Sequence, residues 1–169
     1  AAAAAAALAA ECALPAATAL APRPANAPAN PHAPTLTRPG YYTVPSARRL
    51  ARLSDAQLAA VPRFVVGRAG VGEVAFLYPV DLRGADLDAA VRIERGAIAL
   101  YPPGAARPPP GGGLDQPALL TYRRIFMRGA PGRRAEAAFR GRLLQACVRL
   151  GATFVHWDPE EGIWIVWRS

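Results

Sequence analysis

Residues 63–82 read RFVVGRAGVGEVAFLYPVDL, and the fold turns on what the glycines at 67, 70 and 72 do. A glycine-rich loop that cradles phosphate needs a helix N-terminus behind it to receive the anion. Here the order is G-x-x-G-x-G and no helical period follows. Instead Val74, Phe76 and Tyr78 alternate with Glu73, Ala75 and Leu77, the period of a half-buried strand. The stretch is therefore expected to be two strands joined by a tight glycine turn, since glycine supplies the positive φ that such turns demand.

Upstream, LTRPGYYTVPS (36–46) reads as a first strand, entered through Pro-Gly and left through Ser46 as a helix cap. Tyr41 and Tyr42 then point to opposite faces. In SARRLARLSDAQLAAV (46–61) two helical turns follow one another. Ser54 with Gln57 three residues on matches a capping box, Leu50, Leu53, Leu58 and Val61 form the apolar side, and Pro62 ends the run. Downstream, AVRIER (90–95) and AIALY (97–101) are short β segments, PPGAARPPPGGG (102–113) is an extended loop, and ALLTYRRIFM (118–127) resumes as a strand. From Arg133 to Leu150 the period becomes helical, with Phe139, Leu143, Cys147 and Leu150 on one stripe and Gly151 as the C-cap. ATFVHW and IWIVWRS close the chain as a hairpin around DPEEG. Six or seven short strands with two helices predict an α+β, mostly β domain over residues 35–169.

Residues 1–34 are rich in alanine and proline and read as a flexible or transiently helical linker. The apolar start lacks the basic n-region of a signal peptide, and Glu11 interrupts it short of the ~18 residues of a membrane span. The formal charge is +8, and all 20 basic residues are arginine. Arg23 and Glu11 cancel in the tail, so the 19 arginines and 11 acids of residues 35–169 carry the whole excess. An acidic protein or a nucleic acid is a fitting partner, while the arginine and alanine bias equally suits a GC-rich genome. Cys12 and Cys147, the only cysteines, make neither a disulfide framework nor a zinc spacing, which is compatible with a reducing compartment.

Little in the chain points to catalysis on a free substrate. His32 and His156 are the only histidines, and no nucleophile elbow surrounds Ser46, Ser54 or Ser169. No clustered ligands suggest a metal, and no cofactor is expected. Arg123, Arg124, Arg128, Arg133 and Arg134 form a basic run near Tyr122 and Phe126. Stacking on bases with phosphate contacts would use such residues, although a solvated loop and helix start explains them as well.

Five blocks in order carry a family resemblance: LTRPGYYTVPS, FVVGRAGVGEVAF, VDLRGADLDAAVRIERGAIALY, RPPPGGGLDQPALLTY and FRGRLLQACVRLGATFVHWDPEEGIWIV. Together they resemble the C-terminal autoproteolytic domain of the GLFG-repeat nucleoporins, the ninety-eight-kilodalton class. The resemblance implies a half-open antiparallel sheet of about six strands flanked by two helices. It also implies a module at the nuclear pore that anchors its protein by binding other nucleoporins, on the scaffold or cytoplasmic side, through an extended peptide. Such domains cleave their own chain when a Ser hydroxyl attacks the preceding Phe carbonyl in His-Phe-Ser. No Phe-Ser dipeptide occurs in these 169 residues, so this polypeptide is expected to have no catalytic residue and to act as a docking module. The family's Gly-Leu-Asn reads Gly113-Leu114-Asp115 here, and the lysine before Pro-Pro is Arg107. Tyr41, Tyr42, Arg107, Pro108, Pro109, Gly113, Leu114 and Asp115 are the candidate partner-binding residues. Self-processing, should His-Phe-Ser follow in the native chain, and nucleic-acid binding are the alternatives.

Overall fold

A computed structural model describes residues 29–129 and 132–169. Cys12 and most of the expected linker therefore lie outside the described residues. The hairpin reading of residues 63–82 is borne out. Strand β2 (Val65–Arg68) turns through Gly70, at φ +70°, into β3 (Gly72–Phe76), and Val66 pairs with Val74. The strand ends at Phe76, so Tyr78, expected to continue the alternation, sits outside it and is exposed.

The other local expectations mostly hold as well. Strand β1 (Tyr41–Val44) leads into two one-turn helices, α1 (Ala47–Leu50) and α2 (Asp55–Leu58). The Ser54 hydroxyl accepts the Gln57 N–H and the Gln57 side chain accepts the Ser54 N–H, so both halves of the capping box form. Ser46 occupies the cap position of α1 without a side-chain hydrogen bond. A third short helix, α3 (Leu87–Ala90), is capped by Asp86 and runs directly into β4 (Val91–Glu94), which pairs with β5 (Ala97–Leu100). Then come β6 (Ala118–Tyr122), the long helix α4 (Arg133–Leu150), β7 (Thr153–Asp158) and β8 (Ile163–Arg168). Strand β6 is shorter than the sequence suggests, and residues 123–128 leave the sheet, with Arg124 at φ +61°.

Six strands form one antiparallel sheet in the order β1-β2-β3-β6-β8-β7, and β4 with β5 forms a separate two-stranded sheet. The domain is mostly β, with an open sheet, one main helix and three short ones among the described residues. One face of the sheet is buried, and the register explains why. Thr43, Val66, Val74, Leu120 and Val166 lie in one row across it, and Tyr41, Arg68, Gly72, Tyr122 and Trp164 in the next. The stacked rings of Tyr122 and Trp164, 4.7 Å apart, continue into α4, whose Leu143 and Cys147 are buried. Residues 29–34 also join the domain. Asn30 is buried, its amide donating to the Leu53 carbonyl and the Asp55 carboxylate, and His32 bonds the same carboxylate at 2.9 Å.

Candidate functional site

The small sheet lies over the buried face of the large one without closing it. Gly72 makes this approach possible: a Cβ there would stand 3.3 Å from Ile98 Cδ1 and 3.6 Å from Ile93 Cγ2. Tyr41 locks the two sheets together, its hydroxyl donating to the Ile93 carbonyl and accepting the Ile93 N–H. Arg38 and Arg68 stand over the Tyr41 ring, and Arg68 also donates to the Ile93 carbonyl. Among the described residues strand β5 has β4 as its only paired neighbour, which leaves its outer edge unpaired by any of them.

Between that edge and the C-terminal end of α4 runs a groove of two adjoining hollows, about 180 and 200 Å³. Leu120, Tyr122 and Val166 of the large sheet floor it, Ile98 and Ala99 wall one side, and Leu150 the other. Leu150 was expected on the buried stripe of α4. It is instead 51% exposed, at the lip of the groove floored by Leu120, Tyr122 and Val166. Arg168 stands at one end of the groove, Arg92 and Glu94 at the other.

Arg168 connects the groove to the proline- and glycine-rich loop. Asp115 takes Arg107 at 2.7 Å and Arg168 at 3.5 Å, and the Asp115 side chain is only 15% exposed. Tyr101, itself at φ +51°, accepts the Leu114 N–H on its hydroxyl at 3.0 Å. Burial pushes the Tyr101 phenol up, against the opposing pull of that N–H. Gly113, at φ +52°, presses on the same hydroxyl and on Pro108, where a Cβ would collide. Leu114 is buried in the core. Arg107, Pro108, Gly113, Leu114 and Asp115 are thus assembled into one body at the Arg168 end of the groove, with Pro109 in the turn between them.

The two tyrosines stand elsewhere. Strand β1 is three strands removed from β8 by β2, β3 and β6, roughly 19 Å at ordinary strand spacing. Tyr41 is committed to the β4 contact. Tyr42, on the opposite face, lays its ring over Gly67 and donates to Glu73 at 2.5 Å. Burial and then the Glu73 carboxylate push its phenol up to about 12. Neither tyrosine lines the groove. Tyr101, Ile98, Leu120, Val166 and Arg168 escaped the sequence reading. The available signal was AIALY, apolar on both parities, which marks a strand partly covered on both faces.

Other candidates separate in the same way. In the basic run, Tyr122 is buried, Arg123 lies 3.8 Å from Glu73, and Phe126 covers Gly162 in the β7–β8 turn. Among the described residues no three His, Cys, Asp or Glu side chains gather as a metal-binding group. No described helix is long and apolar enough to cross a membrane.

An open six-stranded sheet with a two-stranded lid matches known proteins. Residues 38–167 match the Nucleoporin2 family model, described as Nup98-96 autopeptidase S59. The chain belongs to that family of nuclear pore complex proteins. The Nup98-Nup96 protein of Drosophila melanogaster is 33% identical over 139 residues, 77% of this chain but 7% of that protein. Nucleoporin NUP145 of Chaetomium thermophilum is 35% identical over 133 residues, again 7% of its length. This chain therefore spans a small fraction of the curated relatives it matches. Among solved structures, a mutant Chaetomium thermophilum Nup145N APD fused to Nup145C N aligns with a TM-score of 0.67 at 35% identity, over 75% of this chain and 91% of that one. The yeast Nup82-Nup159-Nup116 complex contributes a chain with a TM-score of 0.66 at 24% identity, over 78% of this chain and 96% of its own, and shares the fold.

Proposed function

We propose that this domain docks its protein at the nuclear pore by taking an extended apolar segment of another nucleoporin in the groove between β5 and α4. The unpaired outer edge of β5 beside an apolar floor is the observation that carries the reading. A strand added there gains main-chain hydrogen bonds from β5 and places alternate side chains on Leu120, Tyr122 and Val166. The related Nup116 chain is found in a complex with Nup82 and Nup159, which makes their counterparts the first partners to try.

Titration calorimetry with a Nup82–Nup159 pair tests this. Ala99→Leu narrows the groove and Leu150→Glu puts a charge on its lip, and each is expected to weaken binding about tenfold or more. Binding by both variants equal to the parent domain sinks the groove as the docking site. The candidate loop at 107–115 borders the groove through Asp115 and Arg168 and would set how the segment leaves it.

A further inference from the structure

Helix α4 carries a second surface that the groove does not use. Leu143 and Cys147 face the sheet; the next residues along, Leu144 and Val148, lie about 100° further round the helix and are 45% and 81% exposed. Ala137 and Gly141 extend the same side at spacings of four, three and four residues, so the four positions form one stripe. The stripe is bulky at its C-terminal half and nearly bare of side chain at its N-terminal half. Arg133 and Arg140 flank it on one side and Arg134 on the other, while Arg149 and Arg142 lie beyond, more than about 100° from its centre. Arg140 and Arg142 are held in place by the Phe154 and Phe139 rings, at 5.2 and 5.1 Å. Against these five arginines the helix has one acid, Glu136.

We propose that this face of α4 docks an acidic amphipathic helix of a second protein. Gly141 and Ala137 let the backbones approach closely, so that large apolar residues of the partner fill the space beside Leu144 and Val148. The partner's acidic flanks meet Arg133, Arg140 and Arg134, of which Arg140 is already ordered on the Phe154 ring. Charge decides among the other occupants. A second copy of this chain would set ten arginines against two glutamates, twice the content of one helix. A lipid surface calls for large aromatic or leucine anchors along the apolar side, and half of this stripe is alanine and glycine. A nucleic acid has no use for a valine at 81% exposure in the middle of its contact.

The test uses the whole domain and a labelled synthetic helix of about six turns, with leucine along one side and glutamate on both flanks. A twin peptide carries lysine in place of glutamate. Fluorescence anisotropy is expected to show saturable binding of the acidic peptide, weakened as salt rises, and binding of the lysine twin at least about tenfold weaker. Val148→Glu and Gly141→Leu, one electrostatic and one purely steric, should each weaken the acidic peptide by a similar factor. Both positions are on the helix exterior, so the thermal midpoint should not fall, and losing a mid-helix glycine should raise it a little. The groove variant Ala99→Leu should bind the acidic peptide like the parent domain, which separates this face from the groove. The proposal is overturned by no saturable binding, by equal binding of the twin, or by variants that bind as tightly as the parent. It is likewise overturned if phosphatidylserine vesicles or poly(U) RNA bind in a manner that Val148→Glu abolishes while the peptide does not bind.

Discussion

Gly72 shows how one missing side chain shapes this molecule. A Cβ there would come within 2.6 Å of the Thr121 backbone carbonyl, and the small sheet presses in behind it through Ile98. Backbone cannot swing aside as a flexible side chain can, so Gly72→Ala must part β3 from β6 or lift β5. We expect a loss of roughly 2–4 kcal/mol by chemical denaturation, with a weaker groove as well, because Ile98 and Tyr122 line it. A variant as stable as the parent would show that the close approach is not needed. Gly67 obeys a different logic. Its Cβ position is filled by the Tyr42 ring, which moves more cheaply than backbone. The two glycines look alike in the sequence, and only the packing separates a structural necessity from a convenience.

At the scale of elements, α4 and the central strands differ in how they are held. Strand β3 is paired on both sides, and its Val74 and Phe76 are buried, whereas α4 buries only Leu143 and Cys147 fully over 18 residues. Amide hydrogen exchange should therefore be faster in α4 than in β3 and β6, since opening the helix exposes less apolar surface. Leu143→Ala should cost about 2–4 kcal/mol and widen that gap, whereas uniform protection of helix and sheet would contradict the picture. Local features of these elements were legible in the sequence for a physical reason. The Ser54 capping box, the Gly70 turn and the Gly151 C-cap, at φ +61°, are each made by residues within a few positions of one another. What was not legible depends on distant neighbours. The stripe Phe139-Leu143-Cys147-Leu150 has the right period, but Leu150 stands at the lip of an open groove, and no periodicity says where the packing against a helix stops. The expected count of six or seven strands likewise missed that β4 and β5 stand apart as a lid.

For the whole molecule, burial sets how stability responds to pH. Burial holds the Tyr122 phenol up at about 12, with Cys147 adding to the effect. The unfolded chain begins to ionise this group near pH 10 while the folded one does not. Its contribution is therefore complete below pH 10 and is lost as pH rises toward 12, worth up to roughly 3 kcal/mol. Thermal melts should fall across that window, and Tyr122→Phe should lessen the fall, leaving the share that Tyr42 contributes, while preserving the ring stack on Trp164. A slope unchanged by the substitution would exclude Tyr122 as its source. Acid works in the opposite direction. Asp55 is lowered by Asn30 and His32, Asp81 by Arg83, and Asp158 by the Glu161 and Glu160 amides. Asp88 is lowered despite its burial, through hydrogen bonds from Thr37 and Arg38. Their stabilisation is present above about pH 4 and fades as pH falls through the depressed values.

The sequence by itself determined the hairpin of residues 63–82, the caps and turns, the mostly-β class, and, through five ordered blocks, the nucleoporin family. These depend on neighbours along the chain, or on a pattern long enough to be distinctive. Tertiary structure alone decided that β6 pairs between β3 and β8, that β5 keeps an open edge, and that Leu150 forms a lip. It also separated Tyr41 and Tyr42 from the loop at 107–115, which the sequence had grouped with them as one candidate surface. The groove draws residues from 92 to 168 into one place. Side chains so far apart in the chain meet only through non-local strand pairing, which no local pattern encodes.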